Sequence, residues 1–347
     1  MSKADKIASF DFNGAGNVEG GIFGLPFTVE ESDIVVLPVR WDVTVSYGDG
    51  TVDGPDAVWA ASPQLDLVDE DYGDVWKHGI AMSDALNDLA EQSIKLRQHA
   101  KQVIAHQEQG GSASDPQLAP ALKQVNEGCS MMVKRVFDAC TDLLNSGKKV
   151  VLLGGDHSTP MGYLQALAKR HGDFGILQID AHMDLRIAYE GFTWSHASIM
   201  YNALSLPEVT KLVQVGVRDF CSEELEVAAA SGGRALAYSG RQLARKSIQG
   251  ETWAQTCDEI VSQLPHKVYL SFDIDGLEPF LCPHTGTPVA GGLGYEQVMY
   301  LLDLVGKSGR EVIGADLVEV APGDEGDDWD GNVGARILYR LCGIVSR

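Results

Sequence analysis

The sequence predicts an α/β fold, a right-handed doubly wound parallel sheet with helices against both faces, and three observations carry that expectation. Short apolar runs recur at residues 149–153, 174–179, 211–217, 267–272 and 311–318. Helical stretches separate them. The runs are apolar at consecutive positions, the pattern of strands covered on both sides, where a half-exposed strand alternates.

Taken in order, residues 1–30 are glycine-rich (Asn13-Gly14-Ala15-Gly16, Glu19-Gly20-Gly21) and predict a looped N-terminal extension. Residues 33–39 read as a buried strand, and the turn-forming stretch Ser46-Tyr47-Gly48-Asp49-Gly50 follows. Helical periodicity covers 83–107 and 118–147, broken between them by Gly110-Gly111-Ser112-Ala113-Ser114-Asp115-Pro116. From residue 149 the strand–helix rhythm begins, with a helix over 160–170. No linker or repeat divides the chain, so residues 1–347 are expected to form a single domain.

Composition excludes several functions. Asp plus Glu number 49 against 27 Lys plus Arg, a net charge of −22, which argues against nucleic acid, since phosphate binding needs a basic patch. The same acidity suits a self-repelling, salt-adapted surface or the attraction of a cationic substrate. No apolar run approaches the ~18 residues of a membrane span, and the first residues do not read as a secretory signal; a cytoplasmic protein is expected. The six cysteines form no CxxC and are expected to be reduced.

The residues after the apolar runs carry the chemistry, because ligands of open parallel sheets bind beyond the carboxyl ends of the strands. There stand Gly154-Gly155-Asp156-His157-Ser158, Asp180-Ala181-His182-Met183-Asp184 and Asp273-Ile274-Asp275-Gly276. Residues i and i+2 of a strand point the same way about 6.6 Å apart. Asp273 with Asp275, or Asp180 with His182, can therefore straddle two metal ions about 3.5–4 Å apart. Asp184 would lie about 13 Å from Asp180 on a continued strand, so the chain must curl if both are to bind. Taken singly, each motif is also a plausible turn, cap or solvated loop. Three together at strand ends point to a metal site. The histidines at 78, 99, 106, 171 and 266 lack such company; His284, in its Pro283–Pro288 loop, is left open.

In this order the three motifs, the last extended to Ser271-Phe272-Asp273-Ile274-Asp275-Gly276-Leu277-Glu278-Pro279, resemble the signatures of the ureohydrolase (arginase/agmatinase) family. The resemblance extends to Gly286-Thr287-Pro288, Gly291-Gly292-Leu293 and Glu319-Val320-Ala321-Pro322 and covers about residues 33–345. It implies a three-layer α/β/α sandwich around an eight-stranded parallel sheet, two Mn²⁺ ions per subunit (Ni²⁺ or another divalent ion being alternatives), and a homo-oligomer, trimeric or hexameric. It implies that His157, Asp180, His182, Asp184, Asp273 and Asp275 are the metal ligands. It also implies that Asp184 orients the attacking hydroxide, that His196 shuttles protons, and that Glu319 pairs with the guanidinium.

That residue set fits the reaction. A guanidinium is a poor electrophile and water a poor nucleophile, and metal coordination lowers the pKa of water from 15.7 to about 7. Four Asp offset most of the charge of two dications. Glu319 would hold the planar guanidinium by charge-assisted hydrogen bonds, and His196, with a pKa near neutrality, would protonate the departing amine. The run Asp324-Glu325-Gly326-Asp327-Asp328-Trp329-Asp330 is expected to be a solvated loop. Phe192 and Trp194 flank His196 in place of the polar residues that grip arginine's α-carboxylate in arginases. An agmatinase-like activity on a small guanidino compound is therefore expected, with arginase and guanidinobutyrase or guanidine hydrolase as alternatives. A one-zinc deacetylase and a non-catalytic regulator of the same fold are the rivals from other classes; the full ligand set speaks against both.

Overall fold

Eight strands form one sheet in the computed structural model, which describes residues 1–347. They are β1 (Ile34–Val39), β2 (Ile80–Met82), β3 (Lys149–Gly154), β4 (Phe174–Ile179), β5 (Val209–Val215), β6 (Ala235–Tyr238), β7 (Lys267–Asp273) and β8 (Glu311–Val318). Their order is β2-β1-β3-β8-β7-β4-β5-β6, and all neighbours run parallel. The helices are α1 (Lys3–Ser9), α2 (Gly54–Ala61), α3 (Leu89–Glu108), α4 (Ala119–Asn145), α5 (Met161–His171), α6 (Ile199–Leu204), α7 (Ser222–Ala230), α8 (Gly240–Ile248), α9 (Trp253–Ser262), α10 (Tyr295–Lys307) and α11 (Trp329–Val345).

The consecutive apolar positions serve two cores. Val150 and Leu152 of β3 pack into the layer of α3, α4, α5 and α6, while Val151 and Leu153 pack into the layer of α9, α10 and α11. This is the expected α/β/α sandwich. β3, β8, β7 and β4 lie side by side at its centre, and three of them end in the signature motifs.

Two strands were not anticipated. β2 has three residues and β6 four, both at sheet edges, where short segments leave little periodicity to detect. The expected loop over 1–30 contains α1, closed by a Ser2/Asp5 capping box, and Phe10 and Phe12 beyond it pack on Trp76 with ring centroids 5.3 Å apart. The helix expected from 83 starts at Leu89. The acidic run is solvated only in part: Asp330 lies buried in the first turn of α11, where its carboxylate accepts hydrogen bonds from His284 N (3.0 Å) and Nδ1 (2.9 Å). That contact gives His284 a structural role.

One row of the sheet is polar. Asp316 of β8 pairs with Ser271 of β7, Ser271 with Gln178 of β4, and Gln178 with Gln214 of β5, all fully or almost fully buried. It lies just below the strand ends, where it can hydrogen-bond what is mounted there.

The end of β3 also depends on glycine. A Cβ at Gly155 would sit 2.1 Å from the carbonyl oxygen of Trp41, a backbone atom with no room to yield. Gly155→Ala is expected to destabilise the fold by about 1–3 kcal/mol through overpacking, read as a lowered denaturant midpoint; an unchanged midpoint would show that the close approach is not a constraint.

Candidate active site

Every predicted site residue except His196, which stands in the short turn before α6, lies at the end of one of the four central strands. His157 follows β3. Asp180, His182 and Asp184 follow β4. Asp273 ends β7, with Asp275 in the turn beyond it, and Glu319 follows β8. Gly276 makes their approach possible, because a Cβ there would lie 2.7 Å from Asp180 N. The turns are tied to one another: Ala181 N donates to Asp275 Oδ1 (3.0 Å), His182 N to Asp180 Oδ1 (2.6 Å), Asp275 N to Asp273 Oδ1 (2.9 Å) and His157 N to Glu319 Oε1 (2.8 Å). The chain does turn after Asp180: Asp184 has φ +54°, and its carbonyl accepts from Met200 N and Tyr201 N, both at 3.1 Å, at the start of α6.

The side chains converge. His157 Nδ1 stands 3.0 Å from Asp180 Oδ2, 3.0 Å from Asp184 Oδ2 and 3.2 Å from Asp273 Oδ2. His182 Nδ1 stands 3.0 Å from Asp275 Oδ2 and 3.5 Å from Asp180 Oδ1. Two donor groups result, His157/Asp180/Asp273 and Asp180/His182/Asp275, which share Asp180. His157 Nδ1 is buried and faces three carboxylates without an aligned hydrogen bond to any. Buried donors gathered this closely, with an imidazole nitrogen left without an aligned hydrogen bond among three carboxylates, fit a cation between them. Oxygen and imidazole donors suit a divalent ion.

The electrostatics agree. Asp180, Asp184, Asp273 and Asp275 are at most 4% exposed, and the two imidazoles are their only ion-pair partners. Burial pushes Asp184 up to about 7, with the Asp180 charge adding to it, and burial drives Asp273 well above the carboxylate range. Burial opposes protonation of His157, but Asp180, Asp184 and Asp273 outweigh it and raise its pKa.

The polar row supports this cluster from below. Gln178 Nε2 donates to Asp180 Oδ2 (2.6 Å), and Gln214 Nε2 bonds both Gln178 Oε1 (2.6 Å) and Met183 O (2.7 Å). His157 Nε2 lies 2.9 Å from Ser271 Oγ, which donates to Asp316 Oδ2 (2.9 Å). Such partners fix the orientation of metal ligands. Arg218 braces the opposite side, donating to the carbonyls of Asp275 (2.7 Å), Leu277 (3.1 Å) and Val289 (2.9 Å). Sequence reasoning missed all five. The signal was present for the row, whose members are polar residues inside apolar strands.

Above the cluster opens a cavity of about 150 Å³ that His157, His182, Asp184, Asp273, His196 and Glu319 all reach. A larger one, about 800 Å³, lies beyond β5 and β6 and touches none of the predicted site residues; size does not mark the site. Glu319 (φ +62°) is held by Thr285 Oγ1 on its carbonyl (2.8 Å) and by its own N–H on Gly155 O (2.8 Å). Burial, then the Asp156 charge, raises its carboxyl well above the usual range.

Two expectations need correction. Burial, then the charges of His182, Arg97 and His157, push His196 down to about 3, so its imidazole is neutral and not poised near neutrality. Phe192 and Trp194 do not line the cavity: Phe192 is fully buried in the layer of α4 and α6, and Trp194 Nε1 donates to Ser130 Oγ of α4 (2.9 Å). The outer wall is formed by Arg186, Tyr189, Asp219 and Glu224. The Arg186 guanidinium lies 4.6 Å from the Tyr189 ring centroid.

Comparison with known proteins agrees with this geometry. The profile of the arginase family matches residues 32–343. The N(1)-aminopropylagmatine ureohydrolase of Thermus thermophilus is 32% identical over 315 residues, 91% of either chain. The agmatinase of Neisseria meningitidis is 34% identical over 202 residues, 57% of this chain and 60% of that one. The crystal structure of the agmatine ureohydrolase of Thermoplasma volcanium superposes with a TM-score of 0.69 at 21% identity, covering 99% of this chain and 97% of that one, and so shares the fold.

The shared carboxylate makes metal content diagnostic. Two divalent ions per chain are expected by elemental analysis, one in His182→Ala and fewer than one in Asp180→Asn. An Asp180→Asn protein that keeps two ions would rule out the shared role.

Proposed function

This chain belongs to the arginase family, and from that premise we propose that it hydrolyses the guanidino group of an agmatine-like amine to urea and the free amine at a pair of Mn²⁺ ions. The observation that carries the reading is the pair of donor groups sharing Asp180, with Glu319 opposite in one cavity. His157, Asp180, Asp184 and Asp273 would hold one ion, and Asp180, His182 and Asp275 the other. Two divalent ions there supply the Lewis acidity that makes water a competent nucleophile at neutral pH. The carboxylate-rich donor set suits Mn²⁺, and Ni²⁺ is the ion to test against it.

The residues of the chain do the rest. Glu319 Oε1 is tied to His157 N, which fixes the carboxylate plane against which a guanidinium can form two charge-assisted hydrogen bonds. Asp184 accepts a hydrogen bond from the attacking water and so aims its oxygen at the guanidinium carbon. As the new C–O bond forms and the C–N bond to the amine breaks, one proton must pass from water to the leaving nitrogen. His196 lines the same cavity as Asp184 and Glu319, which places its imidazole where it can relay that proton.

The far end of the substrate is an amine. On the outer wall the buried Glu224 carboxylate lies 3.9 Å from Arg186 Nε and offsets that guanidinium, which leaves the exposed Asp219 to favour a cationic tail over the α-amino acid end of arginine. The names of the Thermus and Neisseria relatives extend in the same direction, to agmatine or its aminopropyl derivative. The alternative is arginase or guanidinobutyrase activity, with Arg186 meeting a carboxylate tail. The protein acts as a single domain over residues 1–347, in the cytoplasm, as a trimeric or hexameric homo-oligomer; a sedimentation mass of one chain would exclude the assembly. No helix is long and apolar enough to cross a membrane.

Urea release from agmatine, aminopropylagmatine, arginine and guanidinobutyrate after Mn²⁺ or Ni²⁺ loading tests the reading. Agmatine or its derivative should lead, with His157→Ala inactive and Glu319→Gln reduced about 10²–10³-fold, as for loss of one charge-stabilising group. A tenfold preference for arginine in kcat/KM would overturn the substrate assignment. No urea from any of the four, with two ions bound, would overturn the reaction.

A further inference from the structure

Asp180 and Asp184 both follow β4, and one side chain of the neighbouring strand β5 reaches toward each of them. Gln214 pairs with Gln178 in the register of the sheet, and both are wholly buried. Gln214 Nε2 donates to Met183 O (2.7 Å) and to Gln178 Oε1 (2.6 Å), and Gln178 Nε2 donates in turn to Asp180 Oδ2 (2.6 Å). Met183 directly precedes Asp184. On a continued strand it would lie about 16 Å past Gln178, beyond the reach of a glutamine side chain. The contact exists because the chain folds back over the strand end.

This relay of amides has one direction. A carbonyl oxygen only accepts, so Met183 O fixes Gln214 with its NH₂ group toward the turn. The second N–H of that group meets Gln178, which must then turn its oxygen to Gln214 and its NH₂ to Asp180. No protonation state enters the assignment. Gln214 Oε1 is left buried with no partner. An unmet buried acceptor costs free energy that an apolar side chain of the same shape would not, so packing alone does not account for a glutamine here. What the residue supplies is its two donors.

We propose that Gln214 is the positioning residue that holds Asp180 and Asp184 together as ligands of one ion. It acts on Asp180 through Gln178, and on Asp184 through the carbonyl that precedes it in the chain. This deepens the ureohydrolase reading and rests on it for the role of the two carboxylates as ligands. The turn is pinned from other sides as well: Asp184 O accepts from Met200 N and Tyr201 N, both at 3.1 Å, and Leu185 N donates to Glu224 Oε1 (3.1 Å). Gln214 ties it down to the sheet. Without that bond the left-handed Asp184 loses the fixed carbonyl on its N-terminal side.

The test is a titration of chelator-stripped protein with Mn²⁺, the free ion being followed by its EPR signal. Asp184→Asn marks which of the two binding steps belongs to the ion that Asp184 holds. Gln178→Met cuts the arm to Asp180 alone and should weaken both steps, because Asp180 is shared. Gln214→Met cuts both arms. It should weaken the marked step about 10–100-fold, the scale for losing a partner of a metal ligand, and by more than Gln178→Met does there. The other step should match that of Gln178→Met. A glutamine with a purely structural role would lower the unfolding midpoint of the metal-free protein and leave both affinities within about twofold of the wild type; that result overturns the proposal. So does a Gln214→Met protein that loses no more at the marked step than Gln178→Met. Should Gln214→Met fail to fold, Gln214→Asn, whose amide is one carbon too short to meet both partners, is titrated in its place and judged by the same outcomes. If the fully loaded wild type releases no urea from any guanidine, the ureohydrolase reading fails, and the titration still decides whether Gln214 positions the two carboxylates.

Discussion

Like charge held out of water is the constraint on which this structure turns. Asp180, Asp184, Asp273, Asp275 and Glu319 are brought to one point, each at most 4% exposed, with no lysine or arginine side chain paired to them. An isolated buried carboxylate costs several kcal/mol, and neighbours of the same sign add to it. Such a cluster persists only where the scaffold leaves its members no other place. The strand order does this, since β3, β8, β7 and β4 are adjacent and all end on the same side. Helices on both faces stop the strand ends from splaying, and the Gln214-Gln178-Ser271-Asp316 row gives the ligands fixed partners beneath.

The backbone tells the same story. Among non-glycine residues only Phe23, Asp184, Ala188, Glu190 and Glu319 have φ in the left-handed region. Four of the five belong to the site or to the loop over it. That conformation costs of order 1–3 kcal/mol per residue and survives where surrounding contacts over-determine it. Asp184 is over-determined by the amides of α6 on its carbonyl, and Glu319 by Thr285 and Gly155. Both conformations re-aim a carboxylate that a continued strand would send elsewhere.

What was legible in the sequence divides along physical lines. Strands 149–154, 174–179 and 267–273 could be read because double burial writes a continuous apolar run, and the ligands because each stands where such a run stops. β2 and β6 were not legible, being too short to carry a period. The wall of the cavity was misread for a different reason. Phe192 and Trp194 are near His196 in the chain, but the left-handed turn through Ala188, Glu190 and Gly191 rotates them onto α4 and exposes Arg186 and Tyr189 to the cavity. Proximity in sequence is a poor guide to facing across such a turn. The buried polar row could have been found, since a glutamine, serine or aspartate inside an apolar strand must be satisfied by something, and here that something is the site.

Charge counting then explains why a cationic substrate suits this cavity. On the proposed reading two divalent cations would balance the four aspartates, and the imidazoles, freed from that task, would serve as neutral donors. Glu319 would remain as one unmatched negative charge in a buried position, and a guanidinium would supply the single positive charge that matches it. A neutral amide in the same place would leave that carboxylate uncompensated, and an anion would meet it head on. A preference of the cavity for a guanidinium head would therefore follow from the number of carboxylates that the four central strands deliver, before any contact with the rest of the substrate is made.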